Sequence, residues 1–275
     1  MKHGIFQYLK PINIAAHRGS CGGNIPPNTI TAYEAALYQG ANILEADVAR
    51  SADGVYYMFH TGFEKFFLGI DCPFESLTSK ELDKLTLNNE FGKDTVYHLD
   101  RLDTVLDRFK NRCVINLDRS WEYWEELVPM IDRRGMADQI LLKSPCKKEW
   151  IEKAKLVAPA YAYMPIINED ITPFYEMGGE SLPGYIGAEL VFSSEASPIL
   201  TNHVVEQLHK EGRIAWGNGI QFSAAKVLSA GHNDDISVSG DPDAGWGWLI
   251  AQGFDIIQTD WVSALKLYIE TLSFS

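Results

Sequence analysis

Cysteine is scarce. The 275 residues hold four, Cys21, Cys72, Cys113 and Cys146, with no Cys-x-x-Cys pair. That spacing argues against structural zinc and against a disulfide-stapled module; free thiols in a cytoplasmic chain are the expectation. A Cys21–Cys72 bridge is conceivable, because both fall in segments read as loops over one site. No apolar run is long enough to span a bilayer. Residues 1–10 have no apolar signal core, so nothing there directs export. Basic residues are the minority, 24 against 37 acidic, for a net charge of −13. This argues against nucleic acid and anionic membrane as partners. An anionic small-molecule substrate would need local positive charge, from a metal or from Arg18. Repeats, low-complexity tracts and linkers are all missing, so residues 1–275 are read as one domain.

Against these absences, the first quarter of the chain is dense in chemistry: His17-Arg18-Gly19, Glu45-Ala46-Asp47 and His60. Residues 12–16 form an apolar, partly β-branched run that reads as a buried strand ending at His17. Glycines at 19, 22 and 23 let the backbone turn close to a ligand. Asn28 or Thr29 can cap the following helix, and Gly40 ends it. In the next strand, 42–48, Glu45 and Asp47 are two apart and leave the same face. Two like charges on a buried face are costly unless a cation lies between them, and carboxylate oxygens suit Mg²⁺ or Ca²⁺. Asp53-Gly54 signals a hairpin that brings His60 back towards the carboxylates. Arginine forks onto phosphate oxygens, and two imidazoles can supply a general base and a general acid.

Residues 61–93 break the rhythm with Phe63, Phe66, Phe67 and Phe74 among polar residues. They are read as a small insertion over the site, after the second barrel strand. Strands and helices then alternate: strands at 113–118, 139–143, 160–167, 187–192, 213–216 and 254–258, with helices at 121–134, 147–157, 198–211 and 245–252. Eight such strands predict a closed (β/α)8 TIM barrel. The rival, a doubly wound open sheet, would show a G-x-G-x-x-G fingerprint, and residues 19–23 are not one. Catalytic side chains in barrels lie at strand C-terminal ends. His17, Glu45, Asp47, Asp118, Lys143, Trp216 and Asp260 all fall there. Asp118 either points into the barrel mouth as a third carboxylate or pairs with Arg119 or Arg112. Lys143 either reaches solvent or adds phosphate-binding charge. Trp216 is either core or a wall for the substrate's alcohol group. Asp260 is expected to cap the last helix, and the aspartate-rich loop 231–245 to be solvated.

These motifs together resemble the glycerophosphodiester phosphodiesterase family. The match runs through Ala16-His17-Arg18-Gly19, Pro27-Asn28-Thr29, Glu45-Ala46-Asp47-Val48, Asp53-Gly54, His60, Ile115-Asn116-Leu117-Asp118 and Gly253-Phe254-Asp255-Ile256-Ile257-Gln258-Thr259-Asp260. The resemblance implies a barrel with a small inserted subdomain. It implies Glu45, Asp47 and Asp118 as ligands of a divalent ion, His17 and His60 as the acid–base pair, and Arg18 as a phosphate contact. Three positions depart from the family pattern. Proline precedes Asn28 where glutamate is usual, Thr61 follows His60 where aspartate is usual, and Ser120 stands where lysine is usual. Lys143 would make good the missing charge. The implied reaction cleaves a glycerophosphodiester to an alcohol and glycerol phosphate. Two rivals are a lipid-directed phosphodiesterase of lysophospholipase D or sphingomyelinase D type and a barrel that binds a phosphorylated ligand without cleaving it.

Overall fold

The alternating apolar and amphipathic segments fold into strands and covering helices. The computed structural model describes residues 3–223 and 225–272. In chain order come β1 (Asn13–His17), α1 (Ile30–Gln39), β2 (Ile43–Arg50) and β3 (Tyr56–Met58). Then come α2 (Glu64–Phe67), α3 (Ser79–Leu82), β4 (Thr86–Asn88) and β5 (Asp94–His98). The chain goes on through α4 (Leu102–Phe109), β6 (Val114–Asp118), α5 (Trp124–Asp132), β7 (Ile140–Pro145), α6 (Lys148–Val157), β8 (Ala162–Asn168) and α7 (Thr172–Glu176). It ends with β9 (Gly187–Val191), α8 (Pro198–Thr201), α9 (Val204–Lys210), β10 (Ile214–Asn218), α10 (Asp234–Val238), α11 (Trp248–Ala251), β11 (Ile256–Thr259) and α12 (Val262–Thr271).

Strands β1, β2 and β6 to β11 lie side by side and parallel, and β1 pairs with both β2 and β11. The ring therefore closes as a (β/α)8 TIM barrel. β3 is a hairpin excursion, antiparallel to β2 with Val48 opposite Met58. The predicted helix limits hold at α1. Thr29 caps it by accepting the amide of Ala32 at 3.2 Å, and Gly40 ends it at φ 111°. Thr29, not Asn28, takes the cap, which frees Asn28 for another task.

Two apolar layers result. Helices pack on the barrel's outside through side chains such as Tyr33, Leu106, Phe109, Trp124, Leu127 and Leu265. Inside, Ala15, Ile43, Val114, Leu141, Met164, Trp216 and Ile256 fill the lower barrel, with Ile5 from the N-terminal turn among them. The lower barrel is thus packed, and the polar inward positions lie above it, at the strand C-terminal ends.

Three segments differ from the sequence reading. The predicted helix 198–211 breaks at His203 (φ 54°) into α8 and α9. Ile199 and Val204 are both buried, and five residues apart they would lie on different faces of a continuous helix. The excursion after β3 runs on to His98, because β5 pairs with β4. It builds a small apolar cluster of its own from Tyr57, Phe59, Phe74, Leu82, Leu87 and Leu99. Loop 231–245 is not simply solvated. It carries α10, and Asp234 is 2% exposed. That carboxylate accepts from the Trp246 indole (2.6 Å), the Thr259 hydroxyl (2.8 Å) and the Asp260 amide (2.8 Å). No helix among the described residues is long and apolar enough to cross a membrane.

Candidate active site

Register and strand alternation aim the site residues. His17 on β1 lies beside Glu45 on β2, Glu45 beside Asn116 on β6, and Asp47 beside Asp118. All are inward positions of consecutive strands, so one rim of the barrel collects them. Oxygens of Glu45, Asp47 and Asp118 lie within 4.8 Å of one another. Burial first, then the charges of Asp47 and Asp118, push Glu45 well above the usual carboxylate range. Burial, opposed by Lys143 and reinforced by Asp47, pushes Asp118 up to about 6. Oδ1 of Asp118 is buried without a hydrogen-bond partner; the Arg119 backbone amide bonds this carboxylate, but among the described residues neither the Arg119 nor the Arg112 guanidinium forms an ion pair with it. Arg112 is taken by Glu34 at 2.8 Å. A crowded, oxygen-only donor set with one orphaned oxygen fits a hard divalent cation.

The other two carboxylates are fastened. Glu45 Oε2 accepts the Arg18 amide at 3.0 Å. Asp47 Oδ2 accepts from Asn28 Nδ2 at 2.9 Å and lies 3.0 Å from Arg18 Nε. Asn28 in turn accepts the Asp47 amide at 3.1 Å and the Tyr33 hydroxyl at 2.9 Å. Asn28 is thus a clamp on the central acid.

Both histidines have one nitrogen committed. His17 Nδ1 lies 2.8 Å from Asp260 Oδ1, and His60 Nδ1 lies 2.8 Å from the Thr61 carbonyl oxygen. Both partners are acceptors, so each Nδ1 carries the proton and each Nε2 is left to exchange one. Burial lowers the His60 pKa; Asp47 opposes this, and Arg18 and Arg119 reinforce it. Asp260 does not cap α12, which begins without a side-chain cap at Trp261. It positions His17 instead.

A cavity of about 260 Å³ joins these groups. Arg18 enters it because its left-handed backbone (φ 57°) reverses the strand's alternation after His17. Lys143 also lines it but is not a free cation. It is 2% exposed, and its ammonium meets Glu189 Oε2 at 2.8 Å. Burial works against its charge, yet Glu189, Asp118 and Glu45 outweigh that and raise its pKa. Glu189 also accepts from Asn218 Nδ2 at 2.9 Å. Trp216 does not wall the cavity: it is fully buried, its indole donates to Gln258 Oε1 at 3.1 Å, and its ring lies 3.9 Å beneath the Lys143 ammonium. The outer mouth carries Phe222, 5.7 Å from the His17 ring, and Phe63 lies nearby, 5.0 Å from the His60 ring. All four cysteines are free, so no Cys21–Cys72 bridge forms.

A sequence model of the glycerophosphoryl diester phosphodiesterase family matches residues 17–155, half of the chain. The chain belongs to the glycerophosphoryl diester phosphodiesterase family. A model of a domain of unknown function matches residues 163–269. The fold is similar to that of a glycerophosphoryl diester phosphodiesterase from Parabacteroides distasonis, with a TM-score of 0.78 and 17% identity over 100% of this chain and 94% of that one. It is also similar to an Oleispira antarctica phosphodiesterase in complex with its product sn-glycerol-3-phosphate, with a TM-score of 0.69 and 18% identity over 97% of this chain and 99% of that one. A curated relative, a lysophospholipase D of Mus musculus, is 26% identical over 158 residues, 54% of this chain and 47% of its own. The chain thus spans about half the length of that relative. Within this glycerophosphoryl diester phosphodiesterase family member, the acid cluster and both histidines lie in the matched half. Asp260, Glu189 and Asn218 come from the other half, where sequence reasoning had least to hold. Asp260 alone was signalled, by its strand-end position and by the closing Gly253–Asp260 stretch of the family resemblance. Arg119 was passed over as well, though it follows a strand-end acid just as Arg18 follows His17.

Proposed function

We propose that this protein is a metal-dependent glycerophosphodiester phosphodiesterase that releases an alcohol and glycerol phosphate. The observation that supports this most is the meeting of three desolvated carboxylates, one with an orphaned oxygen, with two imidazoles whose Nε2 atoms are both uncommitted. Glu45, Asp47 and Asp118 would hold the ion, Mg²⁺ or Ca²⁺, which when bound neutralises charge on a phosphoryl oxygen. Arg18 offers its guanidinium to another non-bridging oxygen. His60, its pKa lowered by burial, is neutral at pH 7 and takes the nucleophile's proton on Nε2. His17 acts from its doubly protonated form, keeping the Nδ1 proton towards Asp260 and giving the one on Nε2 to the departing alkoxide. The nucleophile is water or a neighbouring hydroxyl of the substrate; the second route passes through a cyclic phosphate. Four unpaired thiols suit a reducing, cytoplasmic compartment.

The test is a panel of glycerophosphodiesters assayed with Mg²⁺, Ca²⁺ and Mn²⁺, and with EDTA as control. Turnover with a divalent ion and none in EDTA is expected. Undiminished turnover in EDTA would overturn the metal half of the reading, and calorimetric binding without product would favour a non-catalytic barrel. A lysolipid substrate is the second reading, supported by the exposed aromatics Phe63 (38%), Phe66 (44%) and Phe222 (46%). Rates on deacylated and lysolipid substrates separate the two.

A further inference from the structure

Four cationic side chains line the cavity: Arg18, Arg119, Lys143 and Lys226. Arg18 and Lys143 are paired with Asp47 and Glu189. Lys226 lies against Phe222, 4.6 Å from the ring centre, at the outer mouth. Arg119 differs from the paired Arg18 and Lys143, and from Lys226 in lying deeper, beside Asp118 and Thr61. Among the described residues, its side chain has one hydrogen bond, Nη2 to the Thr61 hydroxyl at 3.3 Å, and no carboxylate partner. A long bond to a neutral oxygen leaves most of the fork's donors without a use.

Its backbone repeats that of Arg18. The two have φ 54° and 57°, and each directly follows an inward strand-end residue, Asp118 or His17. A continuing strand would turn the next side chain away from the barrel axis. A left-handed step is costly for arginine, and here it brings each guanidinium to the cavity instead. The neighbouring Ser120 offers no alternative. It is fully buried, donates to the Leu117 carbonyl at 2.7 Å and accepts the Trp124 indole at 3.0 Å.

We propose that Arg119 is a second phosphate-holding residue, the counterpart of Arg18 on the His60 side of the cavity, with Thr61 as its positioning residue. The ligand is a non-bridging oxygen of the phosphodiester, so the inference rests on the phosphodiesterase reading above. The neutrality of Thr61 matters: a carboxylate at that place would occupy the fork.

The test uses the full chain with Mg²⁺. Wild type, R119Q, R119A and T61D are compared by kinetics on a glycerophosphodiester and by inhibition with sn-glycerol 3-phosphate. Charge-assisted, bidentate contacts of this kind set the expectation of a ~10- to 100-fold rise in KM and in the inhibition constant for R119Q. Its kcat should fall less and its melting temperature should stay put. T61D should move both constants the same way. Added guanidinium should recover part of the R119A loss, which a purely structural role would not allow. Should R119A fail to fold, R119K serves: it keeps the charge without the fork, and a several-fold rise in both constants is expected. Wild-type constants in R119Q, or in R119K where it is used, overturn the proposal alone, as does a folded R119A that guanidinium leaves unrescued. A wild type that neither turns over nor binds glycerol phosphate removes the phosphodiesterase reading and this proposal together.

Discussion

Asp118→Asn asks whether the acid cluster serves a cation at the expense of the fold. In the folded protein, burial, opposed by Lys143 and reinforced by Asp47, holds Asp118 up to about 6. In the unfolded chain an aspartate titrates near ~3.9. The folded state therefore binds this proton more tightly than the unfolded one. Above pH ~6 the ionised group lowers stability; the loss fades as pH falls through ~6 and is gone below ~4. Two pKa units correspond to ~3 kcal/mol at pH 7.5 in metal-free protein. A chain of this size shifts its melting temperature by ~2–4 °C per kcal/mol. Asparagine cannot ionise, but its amide must still find partners beside Asp47. We expect D118N in EDTA at pH 7.5 to melt roughly 3–8 °C above wild type, with the gap closing towards pH 5. Millimolar Mg²⁺ should raise the wild-type melting temperature and leave the variant's nearly still. Scanning calorimetry at pH 5.0, 6.0 and 7.5, with EDTA or Mg²⁺, reads all of this. A metal-free D118N that melts below wild type at pH 7.5, or equal stabilisation of both proteins by Mg²⁺, would refute the reasoning.

His17→Ala and His60→Ala should each lower kcat by ~10²–10⁴-fold with little change in melting temperature; near-wild-type turnover in either would reject its acid–base role. Because burial lowers His60, the acid limb of the kcat/KM profile should lie below the ordinary histidine value, and a limb above it would contradict the assignment. Asp260→Asn removes the charge that holds the His17 Nδ1 proton and lets an amide NH2 face the ring instead, and should cut kcat at least ~10-fold at unchanged KM. A change confined to KM would place Asp260 on the substrate instead. Asn28→Ala deletes both hydrogen bonds to Asp47, so calorimetry should show Mg²⁺ binding ~10-fold or more weaker; unchanged affinity would remove the clamp.

The barrel was legible because its code is local. Short apolar runs alternate with amphipathic helices along the chain, and each unit buries its own apolar face; at α1 a side-chain cap and a glycine stop mark the limits as well. The same alternation marked His17, Glu45, Asp47 and Asp118, since residues two apart on a strand share a face. What stayed hidden depends on pairs distant in sequence. Lys143 was legible as a strand-end cation but not as the partner of Glu189, 46 residues on. Asp260 carries an ordinary helix-capping signal, yet the closing β1–β11 pairing sets it against His17, 243 residues away. Asp234 sits in a loop whose composition looks solvated; only the folded chain gives it the Trp246, Thr259 and Asp260 donors that hold it inside. The left-handed steps at Arg18 and Arg119 are backbone events that side-chain patterns do not announce.

On the proposed reading, the two halves of the barrel divide the work. Residues 17–155, which carry the family match, hold each group assigned to the phosphate: His17, Arg18, Glu45, Asp47, His60, Asp118 and Arg119. Strands β8 to β10 and the loop after β10 face them with Ile166, Glu189, Val191, Asn218, Ile220 and Phe222. Glu189 is the one acid of that wall, and Lys143 already balances it at 2.8 Å. Lys226 adds one cation at the outer mouth. The inner wall therefore presents apolar surface and amide groups with little net charge, which suits an alcohol better than a second anion. Substitutions there should move KM between alcohols while kcat on a preferred substrate holds. Asp260 is the exception, because its carboxylate reaches back across the closing strand pair to His17. A chimera that exchanged the second half for a relative's, keeping the aspartate at 260, should change which alcohol is released and keep the chemistry; loss of turnover on every alcohol by a folded chimera would show that the division is false.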